Sequence, residues 1–172
     1  MWCKVLGIIL VLCGAIGTGY KMAGMCYQRI RILQELRMVL QLLYGEVEYA
    51  GSGMSEGLQQ IAERCTFWKP FLSRVAEKLQ QMSGQSLGRI WEGEKQSLPG
   101  RACLKKEELL LWKEVGEHLG NVDRQTQLHT LSLYEKRLER ILEEAWQEYH
   151  NQAKICRVLG VTVGIFTVVL FL

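Results

Sequence analysis

The side chains best suited to chemistry are three histidines, His118, His129 and His150, and Asp123, the only aspartate in the chain. Gathered in one place, His118, His129 and Asp123 would make a metal-binding trio able to activate water for hydrolysis. The spacing argues against it. The histidines stand eleven and twenty-one residues apart, whereas ligands on one helical face stand three or four apart. Asp123 has no partnered nucleophile beside it. The chain also lacks a G-x-x-x-x-G-K-[ST] phosphate loop, a G-x-G-x-x-G fingerprint and an H-E-x-x-H helix. The histidines therefore read as surface or interfacial residues, and no catalytic residue, cofactor, metal or small-molecule substrate is expected.

Cysteines offer no stronger case. Cys3, Cys13, Cys26, Cys65, Cys103 and Cys156 form no C-x-x-C pair, and four of them lie in or beside apolar ends, so they read as reduced, small apolar residues. A formal net charge of +3 is too small to argue for nucleic acid.

Asp123 has a structural explanation within GEHLGNVDRQTQ, residues 116–127. Gly120 suits the left-handed position that ends a helix. Asn121 is the expected N-cap of the next helix, which puts Asp123 in its first turn, where a carboxylate meets the helix dipole favourably. Gly116, one turn earlier, could let a neighbouring helix come close. Together with Leu119 and Gln127 these residues form a structural corner between two helices.

Periodicity places the corner within an all-α body. Leu33, Leu36, Val39 or Leu40, Leu43 and Val47 make one helical face, ended by Gly-Ser-Gly at 51–53. Ser52 or Ser55 would cap a second helix burying Leu58, Ile61, Ala62 and Cys65. A third is expected from Trp68 or Lys69 to Met82, with Pro70 in its first turn and Phe71, Leu72, Val75 and Leu79 inward. A short fourth would bury Leu87, Ile90 and Trp91, and SLPG at 97–100 is the clearest loop. The fifth would bury Leu109, Trp112, Val115 or Gly116, and Leu119. A long sixth follows through Leu128, Leu131, Tyr134 or Glu135, Leu138, Ile141 or Leu142, Ala145 and Tyr149. Of the i, i+4 pairs on its charged side only Arg140 and Glu144 are opposite in sign, so that side is expected to be wet rather than bridged.

Both ends of the chain are apolar. Residues 5–20 and 158–172 contain no Asp, Glu, Lys, Arg or His. Fifteen or sixteen helical residues span roughly 23 Å, so each needs its flanks to cross a hydrocarbon layer of about 30 Å. No small-x-small cleavage pattern follows the first segment, which reads as a retained anchor. The expected division is an N-terminal transmembrane anchor over 1–26, a helical bundle over 27–154 and a C-terminal anchor over 155–172. Lys21, Arg29, Arg31, Arg37, Lys154 and Arg157 put the bundle on the cytoplasmic side. Gly160 with Gly164, Cys13 with Gly17, and Ala15 with Gly19 are small-x-x-x-small pairs suited to helix packing within the membrane, and they leave self-association into a homo-oligomer open.

The order ELRMVLQLLYGEVEY, SEGLQQIA, IWE and VGEHLGNVDRQTQ between two apolar ends resembles the stage III sporulation protein AB family, most specifically at Gly116, Leu119, Gly120, Asp123 and Gln127. The resemblance implies a component of the mother-cell channel complex serving the forespore, in the mother-cell membrane around it. It also implies a domain similar to type II secretion inner-membrane platform (GspF-like) proteins, although those usually carry two copies and no internal repeat is present here. Implied partners are the sporulation ATPase, stage III sporulation protein AA, and the other membrane components. The expected function is a non-catalytic scaffold coupling that ATPase to the membrane assembly. A membrane-tethered helical sensor is the alternative, and a membrane-bound metal hydrolase built on His118, His129 and Asp123 a third.

Overall fold

A computed structural model describes the backbone of residues 2–49, 53–81, 84–119 and 123–171; side chains are described from Gly24 onward and, beyond Gln152, at 154, 155, 158 and 162. The order is α1 (Trp2–Tyr49), α2 (Met54–Arg64), α3 (Lys69–Gln81), α4 (Leu87–Gly93), a 3-10 turn (Lys95–Ser97), α5 (Lys106–Leu119) and α6 (Arg124–Phe171). Among the described residues there are six α-helices and no strand.

The two long helices run antiparallel, and their side chains record the register. As α1 ascends, its partners on α6 descend: Cys26 meets Gln152, Arg29 meets Glu148, Arg37 meets Glu139, and Gln41 meets Glu135. The Arg124 guanidinium closes the series on the carbonyl of Glu48. The sixth helix is not simply wet on its charged side: Glu135 and Glu139 both face Arg37, at 3.7 and 3.0 Å. Their i, i+4 spacing puts the two like charges on one side of α6, and the cation that joins them comes from α1.

Around this pair, α2 and α3 form one hairpin against α1, and α4 and α5 form another that closes on α6. The helices arise where the 3.6-residue apolar spacing predicts, because each buries one stripe. Leu58, Ile61 and Ala62 of α2 meet Phe71, Leu72, Val75 and Ala76 of α3 in a shared core. Pro70 occupies the first turn of α3, where it removes no helical hydrogen bond. Gly53, rather than Ser52 or Ser55, stands at the N-cap of α2, and no side chain caps it; its carbonyl accepts the Glu56 and Gly57 amides at 2.9 and 3.1 Å.

The aromatic centre is a set of edge-to-face contacts. Phe71 lies 4.8 Å from Trp91 and 5.5 Å from Trp112, ring centre to ring centre, and Trp68 lies 5.8 Å from Phe71. The Trp91 indole donates to the Trp112 carbonyl at 3.0 Å, and that of Trp68 to the Ile32 carbonyl at 3.0 Å. The Trp68 and Trp91 rings thus add apolar burial with their N–H groups satisfied, whereas the buried Trp112 N–H has no partner among the described residues.

Among the described residues, no helix is long and apolar enough to cross a membrane. The packing positions Cys13, Ala15, Gly17, Gly19, Gly160 and Gly164 lie outside the residues whose side chains are described, as does most of the two expected anchors.

Candidate functional site

The α5–α6 corner is built from caps. α6 begins at Arg124, so Asp123 is itself the N-cap: its carboxylate accepts the Thr126 amide at 3.3 Å and its carbonyl the Gln127 amide at 3.0 Å. This corrects the expected helix start, because the aspartate oxygen reaches the amide three residues on only from a non-helical position. The Thr126 contacts hold the Asp123 carboxyl below its ordinary pKa. Gln127 Nε2 donates to the Leu119 carbonyl at 2.7 Å, satisfying the end of α5. Gly120 and Asn121 lie outside the described residues.

Gly116 is a contact point between helices. A Cβ there would fall within the Trp91 ring, and one at Gly88 would lie 3.3 Å from the Gly116 carbonyl, so α4 crosses α5 with backbone close to backbone. Near the corner, His118 Nδ1 lies 2.8 Å from the Glu114 carbonyl and 3.1 Å from the Tyr134 hydroxyl. The crevice between Val115, His118, Gln127 and Tyr134 is too narrow to admit water. His129 is exposed, and among the described residues no group of three His, Cys, Asp or Glu side chains is placed to hold a metal ion.

A charge constellation of greater consequence lies at the other end of α5. Arg29 of α1 donates to Glu108 Oε1 from Nε at 2.8 Å and from Nη2 at 2.5 Å, and from Nη1 to Glu148 Oε2 of α6 at 2.7 Å. Lys105 then pairs with the second oxygen of Glu148, while its backbone N–H donates to Glu108 Oε2 at 2.7 Å. Two cations and two carboxylates alternate in a closed, neutral ring that ties α1, α6 and the start of α5 together. Glu108 is only 2% exposed and Arg29 6%. Burial works against the charged Arg29, but Glu108 and then Glu148 outweigh it and raise the guanidinium above its ordinary pKa. Lys105, then Arg29, hold the Glu148 carboxyl below its ordinary value despite partial burial.

Two further carboxylates serve as connectors. Glu35 Oε1 accepts the consecutive amides of Thr66, Phe67 and Trp68 at 2.7, 2.8 and 2.9 Å, seating α1 on the approach to α3. Burial, with Glu35 alongside, pushes the Cys65 thiol up to about 12. Glu94 pairs with Lys78 at 2.5 Å and accepts from Ser97, which lowers its pKa and joins the end of α4 to α3.

Arg29, Glu108, Glu148, Glu35 and Glu94 were not singled out by spacing, because their partners are distant in sequence. One local signal was available: Glu108 stands three residues after Lys105, the position from which a glutamate reaches back to the amide preceding a helix.

Known proteins are similar to this chain in sequence and fold. The model of the stage III sporulation protein AB family matches residues 4–172. The chain is 28% identical over 177 residues to stage III sporulation protein AB of Bacillus subtilis (strain 168), covering 98% of this chain and 99% of that protein. A solved structure of a stage III sporulation protein AB superposes with a TM-score of 0.64 at 28% identity, over 72% of this chain and 97% of the solved one. With nearly its whole length matched, the chain belongs to the stage III sporulation protein AB family.

Proposed function

We propose that the chain is a non-catalytic scaffold of a sporulation complex, fixed by both ends in the mother-cell membrane around the forespore, with residues 27–154 in the cytoplasm. On this reading 1–26 and 155–172 are the anchors, and the bundle serves as the counterpart of a GspF-like platform domain. It couples a cytoplasmic ATPase, stage III sporulation protein AA, to the other membrane components. Family membership supports the sporulation role. The observation carrying the mechanical part is the antiparallel α1–α6 pair, locked to α5 by the Arg29–Glu108–Lys105–Glu148 ring. A load applied to the bundle would reach both terminal helices together through that lock.

From Cys26 to Glu48, α1 rises about 33 Å at 1.5 Å per residue. The pole where Tyr49 is 82% exposed and Arg124 meets Glu48 therefore stands well away from the terminal segments. That pole is the proposed docking surface for the ATPase.

The test is affinity purification of the tagged full chain from membranes of sporulating cells, with bound proteins identified by mass. The ATPase should co-purify with the wild type and be depleted with Tyr49→Ala. Its absence from the wild-type complex would sink the coupling reading, and turnover of any substrate by the purified chain would sink the non-catalytic one.

A further inference from the structure

All 18 acidic residues fall between Glu35 and Glu148, and none lies within 95–106. The acid-free stretches 1–34 and 149–172 belong to the terminal halves of α1 and α6. A further acid-free stretch, KQSLPGRACLKK, is remote from both in sequence, yet the fold brings it to the same end. Gly100, at φ +55°, turns so close to α1 that an added Cβ would strike Ile32 Cδ1, and Lys105 pairs with Glu148 of α6.

Arg31, Arg101, Lys106 and Lys154 are exposed around this end. Nearby carboxylates are engaged elsewhere: Glu108 and Glu148 with Arg29 and Lys105, and Glu107 with Arg137 at 3.7 Å. Among the described residues no carboxylate pairs with any of the four exposed cations. Exposed apolar and aromatic side chains share the level: Met25, Tyr27, Ile155 and Val158, with the Tyr27 ring 6.1 Å from that of Tyr149.

We propose that the α4–α5 loop is a third membrane contact, in which Arg101 and Lys106, flanked by Arg31 and Lys154, rest on anionic lipid headgroups. This rests on the anchoring reading above. With the hydrocarbon edge near Cys26 and Ile155, Arg29 stands about 4.5 Å and Ile32 about 9 Å above it. A headgroup layer is about 5–8 Å thick, and an anionic surface acts over a Debye length of about 8 Å. The loop opposite Ile32 and Arg29 is therefore within reach of the headgroups. An acidic protein surface would satisfy the cations equally, but it would not call for the exposed Tyr27, Ile155 and Val158 beside them.

Cys103 lies half-exposed within the loop and reports on it directly. The full chain is reconstituted in phosphatidylcholine vesicles with or without phosphatidylglycerol, treated with an uncharged polyethylene-glycol maleimide, and labelling at Cys103 is resolved by peptide mass. Labelling should be several-fold slower in anionic vesicles, since each basic residue held at such a surface shifts contact by roughly fivefold. The Arg101→Glu, Lys106→Glu double variant should label equally in both. Equal wild-type rates in the two lipids, with the chain still resistant to alkaline extraction, would overturn the loop contact and leave the anchors standing. Slow labelling in both lipids alike would indicate cover by a second copy and also overturn it. Release by alkaline extraction would overturn the anchoring reading and the loop contact together.

Discussion

At the start of α5, Glu108 is buried against Arg29, whereas two turns later Gly116 leaves a space that the Trp91 indole fills. Both contacts fix the same helix, but by opposite physics. The indole contact is stabilised by apolar area and close packing. The ionic contact offsets a large desolvation penalty, so its net stabilisation is small while the penalty for removing one partner is large. What the ring adds is geometry: a guanidinium with directed donors accepts α5 and α6 in one arrangement, whereas a greasy contact tolerates sliding.

The largest expected effect is at the apolar end. Trp91→Ala should lower unfolding free energy by about 3–5 kcal/mol, measured by denaturant titration of the chain in detergent. A loss below about 1 kcal/mol would mean that the neighbouring Phe71 and Trp112 collapse into the space and that Gly116 holds no essential wedge.

At the ionic end, Arg29→Met should destabilise by about 3 kcal/mol, because Glu108 is left as an unpaired buried charge. The Arg29→Met, Glu108→Met double variant should recover most of that, lacking chiefly the acceptor for the Lys105 amide, about 1 kcal/mol. A double variant as unstable as the single would reverse the comparison and show that the pair attracts more than its desolvation opposes.

Between these extremes stands Glu35, a charged acceptor on a partly open surface. Glu35→Ala strands three amides and should lower stability by about 1.5–3 kcal/mol. Hydrogen exchange at Phe67 and Trp68 should quicken before the rest of the bundle opens. Unchanged protection there would show that the turn before α3 holds without α1.

The same contrast explains what the sequence discloses. Leu58, Phe71, Leu72, Trp91, Trp112 and Leu138 could be placed inside from spacing alone, since burial of a helical stripe is a local pattern that repeats every turn. Within LLL at 109–111 the spacing is ambiguous, and the structure buries Leu111 fully while Leu109 is only partly covered. Glu108 reads as solvated because nothing nearby in the chain reveals a guanidinium 79 residues away. The Arg37 bridge to Glu135 and Glu139 is illegible for the same reason. At the corner, Asp123 is recognisable as a helix-start residue, but the N-cap position depends on where backbone dihedrals turn helical, which composition leaves undetermined to within a residue or two.

The smallest effect distinguishes the two ends of α5 by pH. Lys105 and Arg29 depress the Glu148 carboxyl in the folded chain below its ordinary 4.5. A depressed folded pKa means that the unfolded chain binds the proton more readily, so the contribution is complete above about pH 4.5 and is lost as pH falls through the folded value. Glu148 is partly exposed, which screens the interaction and keeps the effect modest. Stability measured against pH for the wild type and Glu148→Gln should therefore converge on acidification. The offset between the wild type and Trp91→Phe should stay constant over the same range, because that indole meets a backbone carbonyl and the Phe71 and Trp112 rings, none of which titrates. A constant offset for Glu148→Gln as well would mean that its carboxylate acts through shape rather than charge, removing the electrostatic half of the contrast.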